Sequence, residues 1–114
     1  MSQIKRFKNY EIVAESWETY RNWGHKATLY RNDYKVNAEK ITYYNRTWES
    51  YQYQSVMRNV VYKEMQYLAT RAVELYKEAN HIIRLAAAKK QAVLDDFKAN
   101  NEDYKTLKEF YNNL

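Results

Sequence analysis

Few side chains in this sequence are of kinds that do chemistry near neutral pH. His25 and His81 are the only groups whose unperturbed titration falls there. His81 closes the run Glu78-Ala79-Asn80-His81, the Glu-x-x-His spacing with which carboxylate di-iron bundles draw two ligands from one helix. Such a centre needs two of these runs and two further carboxylates facing inward. One run is present, so a dimer would have to supply the second, with Glu74 nearby. Glu78 and His81 flank an apolar seam and are read as facing solvent. Asp95-Asp96 is a weaker carboxylate pair. There is no Cys, no Gly-rich phosphate loop and no Gly-x-Ser-x-Gly elbow. The expectation is therefore a non-enzymatic protein with no catalytic residue, no metal ligand and no cofactor.

Binding chemistry is better represented. Lys26, Arg31, Lys35, Lys40 and Arg46 are interleaved with Tyr30, Tyr34, Tyr43 and Tyr44. Cations supply attraction to phosphates, and exposed aromatics stack on unpaired bases. Arg31, Tyr34, Lys35, Lys40, Tyr43, Tyr44 and Arg46 form the candidate binding set. The plainer interpretation is that tyrosine is a common strand residue and cross-strand packer. A second basic series, Lys63, Lys77, Arg84 and Lys98, is what the solvated back of a helix also produces. The formal charge of +5 is concentrated toward the N-terminal half, which suggests one polyanion-attracting face. Tyr, Trp and Arg are also the residues enriched at protein-binding hot spots, and all three are plentiful.

The elements that would position these groups follow from periodicity. With 114 residues, one glycine and no proline, a single domain of long helices is expected. Tyr10, Val13, Trp17 and Tyr20 share one helical face, and Gly24 stands where a helix would finish, so a first helix is predicted over 9–23. Residues 26–45 change to an alternating pattern and predict a β-hairpin turning at Asn32-Asp33. In that register Arg31 faces Tyr34, Leu29 faces Val36, Ala27 faces Ala38 and Lys26 faces Glu39, with a bulge near Glu39-Lys40. A long helix is predicted over 54–99, continuous or kinked near residue 80, with continuity favoured. Asn100-Asn101 is taken as a turn before a short helix over 102–113. The expected fold is thus α-dominated α+β: helix, two-stranded hairpin, long helix, short helix.

The long helix carries a seam of alternating four and three spacing: Val61, Met65, Leu68, Ala72, Leu75, Ala79, Ile82 and Ala86. A seam of this period is covered by another helix. Either a second copy packs on it as a coiled-coil-like homodimer, or the other elements of the same chain cover it. No apolar run approaches the length needed to span a bilayer, which leads to the expectation of a soluble cytoplasmic protein with no membrane partner.

The stretch Tyr43-Tyr44-Asn45-Arg46-Thr47-Trp48-Glu49-Ser50-Tyr51-Gln52-Tyr53-Gln54-Ser55-Val56 resembles a strand-to-helix pattern of small orphan proteins from bacterial phages and mobile elements. The resemblance covers about Lys26 to Met65. It implies a setting in which compact proteins bind host components, anti-CRISPR inhibitors among them, in the cytoplasm of a bacterial host cell. In physical terms Trp48 would plug the junction, and Arg46 would pair with Glu49 or project toward a ligand. Two functions are expected on these grounds. The resemblance implies an accessory protein that binds a host protein or nucleoprotein as an anti-defence inhibitor. The residues alone imply sequence-tolerant binding of DNA or RNA.

Overall fold

The computed structural model describes residues 2–43, 53–82 and 86–114. Four strands come first: β1 (Ser2–Phe7), β2 (Tyr10–Glu18), β3 (Trp23–Arg31) and β4 (Tyr34–Tyr43), each antiparallel to the next in the order β1-β2-β3-β4. Two helices follow, α1 (Gln54–His81) and α2 (Ala87–Asn113). The fold remains α+β, but the expected helix over 9–23 and lone two-stranded hairpin give way to a four-stranded meander.

The correction has a local cause. Lys8-Asn9 is a two-residue turn between the paired Phe7 and Tyr10, with Lys8 at a φ of 54°. Positive φ at the first central position is the type II′ signature, which glycine normally announces. From Tyr10 onward the buried positions are Tyr10, Ile12 and Ala14, a period of two rather than 3.6. Val13 and Trp17 therefore stand on the opposite face from Tyr10, and Tyr20 is 97% exposed at the tip of the β2–β3 loop. That loop is closed by the Thr19 amide donating to the Asn22 carbonyl at 2.7 Å.

Gly24 ends no helix. It lies inside β3 opposite Thr42, where a Cβ would run into the Ile41 carbonyl oxygen and the Trp17 ring. Glycine is needed there for close approach, not for a left-handed backbone. At the other end of β3, Asn32 and Asp33 make the turn with φ of 50° and 68°, the type I′ pattern. Arg31 pairs with Tyr34 and Tyr30 with Lys35, but the register then shifts between Tyr30 and Leu29. Leu29 faces Asn37, Ala27 faces Glu39 and Lys26 faces Lys40. The irregularity thus sits beside the turn, not at Glu39-Lys40, and it displaces each predicted partner beyond it by one.

The helical region is corrected as well. The predicted helix over 54–99 is interrupted: α1 ends at His81, and α2 runs from Ala87 straight through Asn100-Asn101. Asn100 is buried, and its side-chain amide donates to the Leu68 carbonyl at 2.8 Å, so it ties helix to helix instead of turning the chain.

The chain divides into two compact units, Met1–Glu64 with Phe110–Leu114, and Met65–Glu109. In the first, Tyr10, Ile12, Ala14, Ala27 and Leu29 on one sheet face are buried, as are Tyr53, Val56, Met57, Val60 and Val61 at the start of α1. Contacts join the two layers: Ser16 Oγ and the Tyr53 hydroxyl are 2.9 Å apart, His25 and Tyr53 rings 4.5 Å, and Phe7 and Phe110 rings 5.6 Å. In the second unit Leu75 and Ala79 pack on Val93, flanked by Ile82, Leu94 and Phe97. With Leu68 bonded to Asn100, this makes α1 and α2 antiparallel within that unit. Of the seam residues, Val61, Met65, Leu68, Leu75 and Ala79 are buried, and Ala72, Ile82 and Ala86 are half-buried. Leu75 and Ala79 are covered by the chain's own α2. No helix among the described residues is long and apolar enough to cross a membrane.

Replacing Gly24 by alanine forces the backbones of β3 and β4 apart and is expected to cost at least ~1–3 kcal/mol, the range for overpacking. Urea unfolding followed by circular dichroism measures it, with exposed Asn112→Ala as a control expected within ~0.5 kcal/mol of the parent.

Candidate nucleic-acid interface

Alternation sorts the sheet into two faces. Tyr10, Ile12, Ala14, Ala27 and Leu29 point toward the helices, which leaves the residues between them on the other, outer face. The pairings arrange that face in rows across the strands. One row is Arg6, Glu11, Tyr30 and Lys35, and the next is Ile4, Val13, Thr28 and Ala38. A third holds Ser2, Glu15, Lys26 and Lys40, and a fourth Trp17, Gly24 and Thr42. Four cations (Arg6, Lys26, Lys35, Lys40) thus stand against two carboxylates (Glu11, Glu15). Glu11 is held by Arg6 at 2.6 Å, and its hydrogen bond, then its charge, raise the Arg6 pKa above the ordinary guanidinium value.

Lys26 and Lys40 are directly opposite one another. Like charges at paired positions destabilise a sheet. Neither ammonium is within ion-pair distance of a carboxylate among the described residues. Lys40 instead lies over the Trp17 ring, 3.9 Å from its centroid, and that ring covers Gly24. The indole nitrogen of Trp17 is buried with no hydrogen-bond partner. A polar hollow of about 410 Å³ opens at the far end of the face, lined by the cations Arg6 and Lys8 and equally by the carboxylates Glu11 and Asp33.

The structure divides the predicted binding set. Lys35 and Lys40 are on the outer face, whereas Arg31 and Tyr43 are on the inner one. Tyr43 packs on Trp23 at 4.9 Å and His25 at 5.3 Å, a cross-strand packing role. Tyr34 is 78% exposed beside the β3–β4 turn. Tyr44 and Arg46, with Trp48 and Glu49 of the phage-like stretch, lie outside the described residues. Sequence periodicity does not bring Trp17 and Arg6 into the set, because it predicts a helix over 9–23 and gives no sign of β1. Once the strands are known, register alone places them. Glu78 and His81 are exposed on α1, and no three His, Asp or Glu side chains converge as a metal site among the described residues.

Comparison with protein-family models, with curated proteins and with solved structures finds no match to this chain.

If Lys40 is held by the Trp17 ring, the two side chains are energetically coupled. A double-mutant cycle with Trp17→Leu and Lys40→Met, read by chemical unfolding, is expected to give a coupling of about 0.5–1 kcal/mol. Additive losses would show that the stack contributes nothing.

Proposed function

We propose that the outer face of the sheet binds single-stranded nucleic acid without reading its sequence. The observation that carries this is the pair of lysines, Lys26 and Lys40, set opposite each other beside an aromatic ring. No carboxylate is within ion-pair distance of either among the described residues, although Glu15 stands across from Lys26 on β2. Their mutual repulsion is relieved when a phosphate enters between them. As Lys40 moves onto that phosphate it uncovers the face of Trp17 for the adjoining base. Stacking of this kind accepts any base, since each has a π-face. Lys35, Tyr30 and Arg6 continue the track toward the turns. From Gly24 to Tyr30 the strand runs on the order of 20 Å, enough for several nucleotides. An aromatic ring beside the lysines suits unpaired bases, whose faces are open to stacking, which favours single strands.

The host-inhibitor expectation rests on residues 43–56, of which 44–52 lie outside the described structure, and no observation on the described surface favours it over direct nucleic-acid binding.

Fluorescence anisotropy with labelled oligothymidylate tests the proposal. Affinity is expected to fall with salt by roughly 0.7 log units per log unit of salt for each phosphate contact. Lys26→Gln and Lys40→Gln should each lower that slope by about this amount, and Trp17→Leu should cost ~1–3 kcal/mol of stacking. Absence of a complex at low salt, or equal preference for duplex, overturns it.

A further inference from the structure

The two edges of the sheet are finished differently. In a meander with two-residue turns, the pairs closing each turn are hydrogen-bonded, so backbone groups of alternate residues can be assigned. On β4, Ala38 and Lys40 direct their amides and carbonyls away from the sheet. The Ala38 amide donates to Asn37 Oδ1 at 2.9 Å and the Lys40 amide to Glu39 Oε1 at 3.2 Å. Lys63 of α1 donates to the Ala38 carbonyl at 3.2 Å. Side chains thus occupy the outward amides of Ala38 and Lys40 and the Ala38 carbonyl, which hinders further pairing at this edge.

The β1 edge is not closed. Phe7 and Tyr10 form the hydrogen-bonded pair at the turn, so Ser2, Ile4 and Arg6 turn their backbone groups outward. Among the described residues, nothing hydrogen-bonds to those groups. The strand is exposed for most of its length, with Ile4 52% exposed.

We infer that β1 pairs with β1 of a second copy of this chain, antiparallel about a two-fold axis at Ile4, and joins the two meanders into one eight-stranded sheet. That register sets Ile4 opposite Ile4, Gln3 opposite Lys5 and Ser2 opposite Arg6. All three outward residues are thereby used, for about six backbone hydrogen bonds. No like charges are directly opposed. The apolar row Ala38, Thr28, Val13 and Ile4 continues across the axis into its own copy. Charge complementarity favours this occupant. Glu15 is in no ion pair among the described residues. It is separated only by the small Ser2 from the position of the second copy's Arg6, about 10 Å across two strand spacings. The second copy's Arg6 is held through Nε by that copy's Glu11 and would be shared between the two carboxylates. A long guanidinium side chain spans that gap. Because the β4 edge is capped, the assembly closes as a dimer and does not propagate. The pairing does not depend on what the outer face binds.

Sedimentation velocity from about 1 µM to 1 mM tests it. The parent is expected to shift from 13.9 kDa to twice that mass. Ile4→Pro removes an outward N–H and spares the β1–β2 ladder, so it should remain monomeric with unchanged circular dichroism. Ile4→Lys, which puts like charges on the axis and leaves the backbone intact, should weaken dimerisation at least tenfold; it decides the matter if the proline variant unfolds. A parent that stays at 13.9 kDa throughout, or an Ile4→Lys variant that dimerises as well as the parent, overturns the inference.

Discussion

In a meander closed by two-residue turns, the residues that flank each turn stand on the same face of the sheet. Phe7 and Tyr10 flank one such turn and Arg31 and Tyr34 another, and Tyr10 pairs with Arg31 across β2 and β3. All four are therefore on one face, and every second residue along each strand follows them. Burial decides what that face is for. Ile12, Ala14, Ala27 and Leu29 are buried on it, and a slip by one residue would send Val13, Lys26 and Thr28 inward in their place. Burying Ile12 or Leu29 is worth ~1.5–3 kcal/mol each, and the smaller Ala14 and Ala27 add less, so the register is held by several contributions at once.

The same parity leaves the outer face with residues that were never required for the core. On it Lys40 lies over the Trp17 ring, and that ring covers Gly24. Lys26 opposite Lys40 is tolerated because the burial beneath it outweighs a local repulsion of a few tenths of a kcal/mol to about one. Sheets that exist only to be stable place opposite charges at such positions. Here the opposite charge is available at Glu15 and Lys26 but is not extended to Lys40. The pair is compensated on one side only, by Glu15 across from Lys26, while Lys40 rests on the Trp17 ring.

How much of this was legible in the sequence depended on the turns. Asn32-Asp33 carries residues that tolerate positive φ, and the hairpin around it could be placed from them. Lys8-Asn9 carries no such mark at the position that needs it, so the sequence does not announce β1 and β2, and the helical spacing of Tyr10, Val13, Trp17 and Tyr20 competes with the true alternation of Tyr10, Ile12 and Ala14. Gly24 misled for a related reason: a lone glycine suits a helix end and a crowded strand equally, and only the proximity of Ile41 and Trp17 tells them apart. In the helices the seam was visible as far as Ala79. The break after His81 was not, because neither glycine nor proline marks it. Asn100 reversed the error, a turn former serving as a buried hydrogen-bond donor. The candidate surface inherited these mistakes. Lys35 and Lys40 were assigned to it from sequence, whereas Trp17 and Arg6 required the strand register.

The central claim is that one face of the sheet is committed to the core and the other is free to hold an anionic chain. The most direct measurement is a two-dimensional amide and indole NMR titration with unlabelled oligothymidylate. Shifts concentrated at Trp17, Lys26, Thr28 and Lys40, with Ile12 and Leu29 little moved, are the expected result. Shifts confined to α1 and α2, or none at saturating oligonucleotide, would contradict it.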